Sequence, residues 1–207
     1  MVGVADAGYL ETFDIDNAGW EYAYGGGATL VDATWVSDGG GGGYISGTSD
    51  GLYGVQNLKS ATPGLYGSSI GDRITVDTKV TDSEVGTAQF YVGRGGTYFI
   101  DGTWSIGSDT AWTTHTEVMN TTTFVPWTGQ NDYVYTLAEV LAAPTDIGIF
   151  FGGVAAGGTG NLLMDNFGVG AGATPVPEPL TMATAFLAIA GLGGYIRRRT
   201  SRGSRVS

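Results

Sequence analysis

The feature that most limits how this 207-residue chain can fold is its glycine content, since 37 residues are Gly. Gly-rich breaks at 25–27, 39–43, 93–96 and 157–160 separate short apolar stretches, and no long stretch shows a helical period. Aromatic residues form 12% and charged residues only 14% of the chain, whereas disordered chains are poor in aromatics and rich in charge. The sequence therefore predicts a folded domain built from many short strands.

Several stretches show the alternation of a half-buried antiparallel strand. Besides RITVDTKV (residues 73–80), strands are predicted in GYLETFD, ATLVDATWV, GGYIS, TAQFYVG, TYFID, THTEVMN, DIGIFFG and NLLMDNFGV. The segment 135–143 is the one predicted helical turn, and Pro144 ends it. We therefore expect an all-β jelly-roll sandwich of antiparallel strands. The clearest alternation is that of RITVDTKV, in which one face carries Ile74, Val76, Thr78 and Val80.

The charge is unevenly distributed along the chain. Residues 1–179 hold all 20 acidic residues and four of the nine basic ones, a net charge of −16, whereas residues 180–207 hold five arginines and no acid. Nucleic-acid binding needs clustered Lys and Arg, so the acidic body excludes a nucleic-acid partner. The chain has no Cys and a single His, His115, which excludes a disulfide framework and argues against a zinc centre.

The C-terminal end carries an uncharged apolar run of 17 residues at 180–196, LTMATAFLAIAGLGGYI. As a helix the run would be about 26 Å long, which predicts a single transmembrane helix. Arg197, Arg198 and Arg199 follow at once, and the positive-inside rule would keep them cytoplasmic with residues 1–179 outside. A buried core helix is the alternative, but the run is apolar on all sides and ends in a basic tail.

The residues before this run are Pro177, Glu178 and Pro179, which cannot continue a helix and predict an extended peptide. The motif, the apolar span and the arginines, over Val176–Arg202, resemble the PEP-CTERM sorting signal. The resemblance implies an exported protein of a Gram-negative bacterium that an exosortase-type transpeptidase processes. Such a protein is held transiently in the inner membrane and then reaches the cell surface or the extracellular matrix, as in a biofilm.

The segmentation of the chain follows from these features. Ala5-Asp6-Ala7 has the form of a signal-peptide cleavage site, so the first residues are predicted to be the remnant of a leader. The predicted segments are 1–7 for this remnant, 8–170 for the β-sandwich, 171–176 for a linker, 177–202 for the sorting signal and 203–207 for a short tail.

A second resemblance covers residues 11–170. The stretches ETFDIDNAGW, DGGGGGYISGTSDGLYGV and GDRITVDTKV, followed by YTLAEVLAAPTDIGIFFGG and LLMDNFGVG, resemble a laminin B (domain IV)-like module. That resemblance implies a jelly-roll β-sandwich akin to carbohydrate-binding modules. It also implies contact with extracellular matrix or polysaccharide, without catalysis.

Aromatic residues supply the candidate ligand contacts, because flat exposed rings stack on the faces of sugars. The alternative is that they are core material, which is the main use of aromatics in sandwiches. Trp20 and Trp35 stand among apolar strand residues and are predicted to be buried. The candidates on the later loops are Trp104, Trp112, Trp127, Tyr98 and Tyr133.

A structural calcium site is a further prediction. Simple alternation in NLLMDNFGV would place Leu163, Asp165, Phe167 and Val169 on one face. First and last strands are often neighbours in jelly rolls, so Glu11 and Asp165 would meet and hold Ca²⁺ together with backbone carbonyls. In the alternative, Asp165 accepts backbone N–H bonds and Glu11 lies at a solvated end.

The function predicted from the sequence is that of an exported, non-enzymatic surface or matrix protein that binds exopolysaccharide. Two alternatives stay open. One is a purely structural or adhesive matrix protein that binds other proteins. The other is a polysaccharide-active enzyme with a dispersed pair of carboxylates, although no compact acidic motif singles out such a pair.

Overall fold

The computed structural model describes residues 8–24, 29–39, 42–49, 55–81, 85–102, 104–106, 109–128, 133–153 and 160–171. All of them belong to one compact unit, Met1–Pro175. The predicted leader, the sorting signal and the predicted transmembrane helix at 180–196 lie outside the described residues. No helix within the described ranges is long and apolar enough to cross a membrane.

The described chain is nearly all β-structure, as the sequence predicts. Its one α-helix is α1 (Leu137–Ala142), and a 3₁₀ turn covers Pro63–Tyr66. The strands are β1 (Tyr9–Glu11), β2 (Trp20–Tyr24), β3 (Thr29–Asp32), β4 (Thr34–Ser37), β5 (Gly43–Ser49), β6 (Val55–Ser60), β7 (Arg73–Val80), β8 (Val85–Arg94), β9 (Thr97–Ile100), β10 (Trp104–Ser105), β11 (Thr113–Val118), β12 (Val125–Pro126), β13 (Asp146–Gly153) and β14 (Gly160–Gly170).

Two antiparallel sheets form the sandwich. Sheet A has the strand order β11-β7-β14-β5-β4, with β1 added beside β14. Sheet B has the order β12-β9-β8-β13-β6-β2-β3, with β10 added beside β8. Every described pairing is antiparallel, and most neighbours are distant in sequence. The predicted all-β sandwich is therefore confirmed.

The inner faces of both sheets follow the alternation of the sequence. On β7 the predicted face, Ile74, Val76, Thr78 and Val80, is buried. On β8 every second residue, such as Phe90, enters the same core. Alternating strands of this kind place one face against the core and leave the other free to carry polar or ligand-binding side chains.

The centre of the core is a cluster of aromatic rings around Trp20, which is fully buried as predicted. The ring of Trp20 makes edge contacts with Phe13, Tyr66 and Phe167, at centroid distances of 5.7, 6.3 and 4.7 Å. These three rings come from the segment after β1, the 3₁₀ turn and β14. The cluster therefore joins both ends of the domain to sheet B, which contributes Trp20.

The helix forms where the sequence predicts it, within 135–143. Thr136 and Glu139 make a capping box: the Glu139 backbone N donates to Thr136 Oγ1 at 3.4 Å, and the Thr136 backbone N donates to Glu139 Oε2 at 2.8 Å. Leu137, Val140 and Leu141 are buried, so one face of this short helix closes the core.

The alternation of β14 breaks at a β-bulge. Its pairing with β7 shifts register immediately after Asp165, and Asn166 has a positive φ of 50°. As a result Phe167 and Val169 enter the core, whereas Leu163 and Asp165 lie on the outer face of sheet A. The prediction that these four residues share one face is therefore wrong, because the extra residue of a bulge reverses the alternation beyond it.

We expect Trp20→Ala to lower the free energy of unfolding by about 3–5 kcal/mol, because truncating a buried Trp leaves a large cavity. Urea unfolding followed by circular dichroism measures this loss. The control is Ile15→Ala, at a side chain that is 84% exposed, and it should change the free energy by less than about 0.5 kcal/mol. Equal stability of the two variants would contradict a core organised around Trp20.

Candidate functional site

The structure distributes the five predicted aromatic residues over three places. Tyr98, Trp127 and Tyr133 come together on the outer side of sheet B. Trp112 precedes β11 and lies on the outer side of sheet A, in contact with Tyr44. Trp104 begins β10 and bridges the two sheets. The structure therefore brings three of the five candidates together, and it places Tyr98 and Trp104 on strands rather than loops. That any of the five contacts a ligand stays a prediction.

The outer face of sheet B is shaped by glycine. On β8, Phe90 and Val92 point into the core, so the intervening Tyr91 and Gly93 point outwards. Tyr98 stands opposite Gly93 in the β8–β9 pairing. A Cβ atom on Gly93 would lie 2.5 Å from the Tyr98 ring, so only glycine lets this ring rest against the sheet.

Trp127 is an exposed ring of this face that contacts the other rings. Its backbone N donates to the Tyr98 carbonyl at 3.0 Å, and its side chain is 40% exposed. The Trp127 ring centroid is 6.1 Å from that of Tyr98 and 6.1 Å from that of Phe150. The hydroxyl of Tyr133, another exposed ring, donates to the Trp127 carbonyl at 2.9 Å. Together with Tyr91, these residues are named the aromatic face below.

The base of the aromatic face is a stacked pair that the sequence did not single out. The rings of Tyr91 and Phe150 lie 4.2 Å apart and nearly parallel, at 21°. Burial raises the pKa of Tyr91 well above its usual value. Phe150 and Phe151 are adjacent in the predicted strand. The pairing of β13 with β8 shows that Phe150 is the one that points outwards.

A row of charged side chains extends the aromatic face across the sheet. Tyr98 hydrogen-bonds to Asp146, and burial followed by the Asp146 charge raises the pKa of Tyr98. Lys59 Nζ lies 3.9 Å from Asp146 Oδ1 and 3.8 Å from Glu21 Oε2. From β9 to β2 this row crosses four strand spacings, roughly 19 Å. The surface thus combines flat apolar rings with hydrogen-bonding groups along one line.

The face also gathers exposed apolar side chains. Monomeric proteins rarely group such residues on their surface, and a group rimmed by polar residues marks a binding site. The aromatic face with its charged row can therefore hold a ligand that has both apolar faces and hydroxyl edges. The exposed apolar residues around it are Val125, Trp127, Tyr133 and Val134.

Trp104 takes part in a different arrangement, between the two sheets. Its ring stacks on His115 at 4.3 Å, and its indole N–H donates to Asp101 Oδ2 at 2.9 Å. Asp101 is only 2% exposed, and its Oδ1 has no hydrogen-bond partner among the described residues. Burial raises the pKa of Asp101 to about 7, against the opposing effect of the Trp104 hydrogen bond, and the charge of Glu117 raises it further. His115 itself contacts Asp109, with Nε2 2.7 Å from Oδ2.

The predicted calcium ligands do not meet. β1 and β14 are neighbours as predicted, and Glu11 stands opposite Phe167, on the inner side, where Tyr9 donates a hydrogen bond to it at 2.8 Å. Asp165 lies beyond the bulge on the outer side, where its Oδ1 accepts the backbone N–H of Asn166 at 2.7 Å. Within the described ranges there is no group of three or more His, Cys, Asp or Glu side chains placed to hold a metal ion.

We expect the burial of Asp101 to make stability fall as the pH rises. An acid whose folded pKa of about 7 exceeds its unfolded value of 3.8 binds more protons in the folded state, so stability is lost between these two pH values. Asp101→Asn should lose that pH-dependent decline, which we expect to be on the order of 1–3 kcal/mol. Urea unfolding at pH 4, 5.5, 7 and 8 tests this. The exposed-site control, Asp32→Asn, should keep the wild-type decline, and an unchanged decline in Asp101→Asn would contradict the assignment.

Comparison with known proteins adds to the description of the fold. No family model matches the chain, and no curated protein matches it. Among solved structures, the family 11 carbohydrate-binding module of a cellulosomal cellulase of Clostridium thermocellum is similar. It is 16% identical, with a TM-score of 0.53, over 82% of this chain and 97% of the module.

Two further structures have the same general architecture. The N-terminal CBM22 tandem domain of a Paenibacillus barcinonensis protein is 14% identical with a TM-score of 0.51, over 86% of this chain and 49% of the tandem. An agarase is 9% identical with a TM-score of 0.50, over 82% of this chain and 25% of the agarase. These likenesses show the fold of the described domain, a β-sandwich of two antiparallel sheets.

Proposed function

We propose that this protein binds neutral polysaccharide without cleaving it, through the aromatic face of sheet B. The observation that carries the proposal is the position of Trp127, exposed, beside Tyr98 and at the end of the charged row. A sugar ring has C–H faces that pack on aromatic rings and hydroxyl edges that hydrogen-bond to charged groups. The aromatic rings therefore suit the C–H faces of a sugar, and the charged row suits its hydroxyl groups.

The length of the site favours a chain over a single sugar. Trp127 and Tyr98 offer rings at one end, while Asp146, Lys59 and Glu21 follow across the strands for roughly 19 Å. Carboxylates accept hydrogen bonds from sugar hydroxyls, and the Lys59 ammonium donates to them. Successive units of one polysaccharide chain can therefore engage the rings and the charged row together.

Binding rather than hydrolysis is favoured by the chemistry of the row. Glycoside hydrolysis needs one protonated carboxyl and one carboxylate on either side of the scissile bond. Here Asp146 and Glu21 both flank the ammonium of Lys59, at 3.9 and 3.8 Å. Two of the similar folds are described by name as carbohydrate-binding modules, which supports a binding role, and the third belongs to an agarase.

The net negative charge of the protein favours neutral over anionic polysaccharides. Residues 1–179 carry 20 acidic residues against four basic ones, so the body repels polyanions. Neutral glycans meet no such repulsion, and we therefore assign neutral polysaccharide as the ligand class.

We further infer that the C-terminal segment is a PEP-CTERM sorting signal that delivers this domain to the cell surface or the extracellular matrix. The support is the order of Pro177-Glu178-Pro179, the apolar run at 180–196 and the arginines from Arg197. An exosortase-type transpeptidase of a Gram-negative bacterium is the proposed partner. The apolar run would hold the protein transiently in the inner membrane until cleavage.

We expect Trp127→Ala in the full-length chain to weaken glycan binding about tenfold or more, or ~1.4 kcal/mol, because a few large aromatic side chains carry most of the affinity of a binding surface. Affinity electrophoresis through hydroxyethyl cellulose, xylan and agarose measures the retardation, and alginate, a polyanion, should give none. The exposed Leu65→Ala serves as the matched control. Wild-type protein that binds none of the neutral glycans would instead favour a matrix protein that contacts other proteins. Release of reducing ends that Asp146→Asn abolishes would favour an enzyme.

We expect the surface-released protein to end near Glu178 and to lack Arg197–Arg199. Intact-mass spectrometry of released protein, expressed in a PEP-CTERM-sorting bacterium, tests this. Replacing Pro177 and Glu178 together by Ala should leave the full-length chain in the inner membrane, whereas the linker control Thr174→Ala should be released normally. Release of the double variant, or retention of the arginines in released protein, would show that the motif is not a processing signal.

A further inference from the structure

A second aromatic pair lies on the opposite side of the sandwich from the aromatic face. Tyr44 is on β5, next to the buried Ile45, and therefore points outwards from sheet A. Trp112 directly precedes β11 and is 39% exposed. The two ring centroids are 5.5 Å apart, at an interplanar angle of 66°. The function proposed above makes no use of this pair.

The two rings form a bridge across the middle of sheet A. β5 and β11 are separated by β14 and β7, a distance of roughly 14 Å. Extending the strand pairings by one residue places Trp112 beside Lys79 and Tyr44 beside Asp165. The two side chains can therefore meet only by reaching across β7 and β14, where Lys79 stands opposite Leu163. This agrees with the 7% exposure of Leu163 on an outer face. Both rings therefore lie along the sheet rather than standing out from it.

The β-bulge of β14 supplies polar groups beside these rings. The Asn166 side-chain amide donates to Asp77 Oδ2 at 2.9 Å and to Asp165 Oδ2 at 3.3 Å. Thr114 on β11 donates to the other oxygen of Asp77. Asn166 holds a positive φ that side-chain-bearing residues rarely adopt. Bulges of this kind re-aim side chains, and here the bulge places Asp165 and Asn166 together on the outer side of the sheet. Both are only 7% exposed and hydrogen-bonded to each other, so the polar groups that a ligand can reach are those of Asp77, Lys79 and Thr114.

We propose that this outer face of sheet A, centred on Tyr44 and Trp112, is a second binding site for neutral polysaccharide. It has the same two components as the aromatic face: flat rings, and hydrogen-bonding groups in line with them across the strands. A protein partner fits it less well, since the cores of protein interfaces are depleted in charged residues, whereas the partly exposed Asp77 and Lys79 lie at the centre here.

The two sites face in opposite directions, because they lie on the outer sides of two stacked sheets. One polysaccharide strand cannot lie along both faces. A single protein molecule therefore holds two polysaccharide chains and cross-links them. This cross-linking rests on the function proposed above, because one of the two chains binds at the aromatic face. Multivalent contacts of this kind strengthen attachment to a polymer network without new interactions at either site.

The test compares single and double variants of the full-length chain. Affinity electrophoresis through hydroxyethyl cellulose, xylan and agarose is run on wild type, Trp127→Ala, Trp112→Ala and the double variant, with Leu65→Ala as control. Each single variant should keep part of the retardation, and the double variant should lose it. Tyr44→Ala should reproduce the effect of Trp112→Ala, and the midpoint of thermal unfolding of each variant shows that the fold is intact.

Cross-linking is measured as aggregation of polysaccharide-coated beads by wild-type protein, whose monomeric state is verified by light scattering. We expect wild type to aggregate the beads and both single variants to fail. If Trp127→Ala alone removes all binding and Trp112→Ala none, the second site is refuted while the proposed function stands. If Trp112→Ala removes all binding and Trp127→Ala none, the second site stands and the aromatic face is refuted. Wild type that binds none of the three polysaccharides refutes both.

Discussion

The pairing of β14 with its neighbours is the constraint on which this structure depends. Along one side the strand pairs with β7, and along the other it pairs first with β5 and then with β1. It therefore lies in the interior of sheet A and joins the first described strand to the last. Its inner residues reach the Trp20 cluster through Phe167, while its bulge turns Asp165 and Asn166 outwards. One strand thus fixes both the centre of the core and the polar part of an outer surface.

Glycine residues in the strands let aromatic rings pack directly against the backbone of the sheets. A Cβ atom on Gly93 would collide with Tyr98, and one on Gly43 would collide with Trp35. In both places an aromatic ring lies against the backbone of a neighbouring strand, an approach that any larger residue would prevent. The glycine content of this chain therefore serves close contact between rings and sheets as well as turns, such as the β8–β9 turn at Gly95 and Gly96.

Most strands were predictable because their side chains alternate between core and surface, as β7 and β8 show. Four strands, β2, β6, β10 and β12, were not identified, and the last two are only two residues long. β6 reads VQNLKS, which is mostly polar, yet it pairs with β13 on one side and β2 on the other. Its place is set by backbone hydrogen bonds to strands distant in sequence, which local patterns cannot report. For the candidate site, the sequence identified Tyr98, Trp127 and Tyr133 but did not identify Phe150, Asp146 or Lys59, which only strand pairing brings to them.

The amino-acid sequence by itself determined the all-β class, the core face of β7, the position of the helix and the candidate sorting signal at Pro177–Pro179. Each depends on neighbours within a few residues, where periodicity and turn chemistry act. Only the tertiary structure decided which aromatic residues share a face, that Glu11 and Asp165 lie on opposite faces, and that Asp101 is buried beside Trp104. Those outcomes depend on strand register and on a single-residue bulge. A shift of one residue in a strand moves each later side chain to the other face, and no local pattern carries that information.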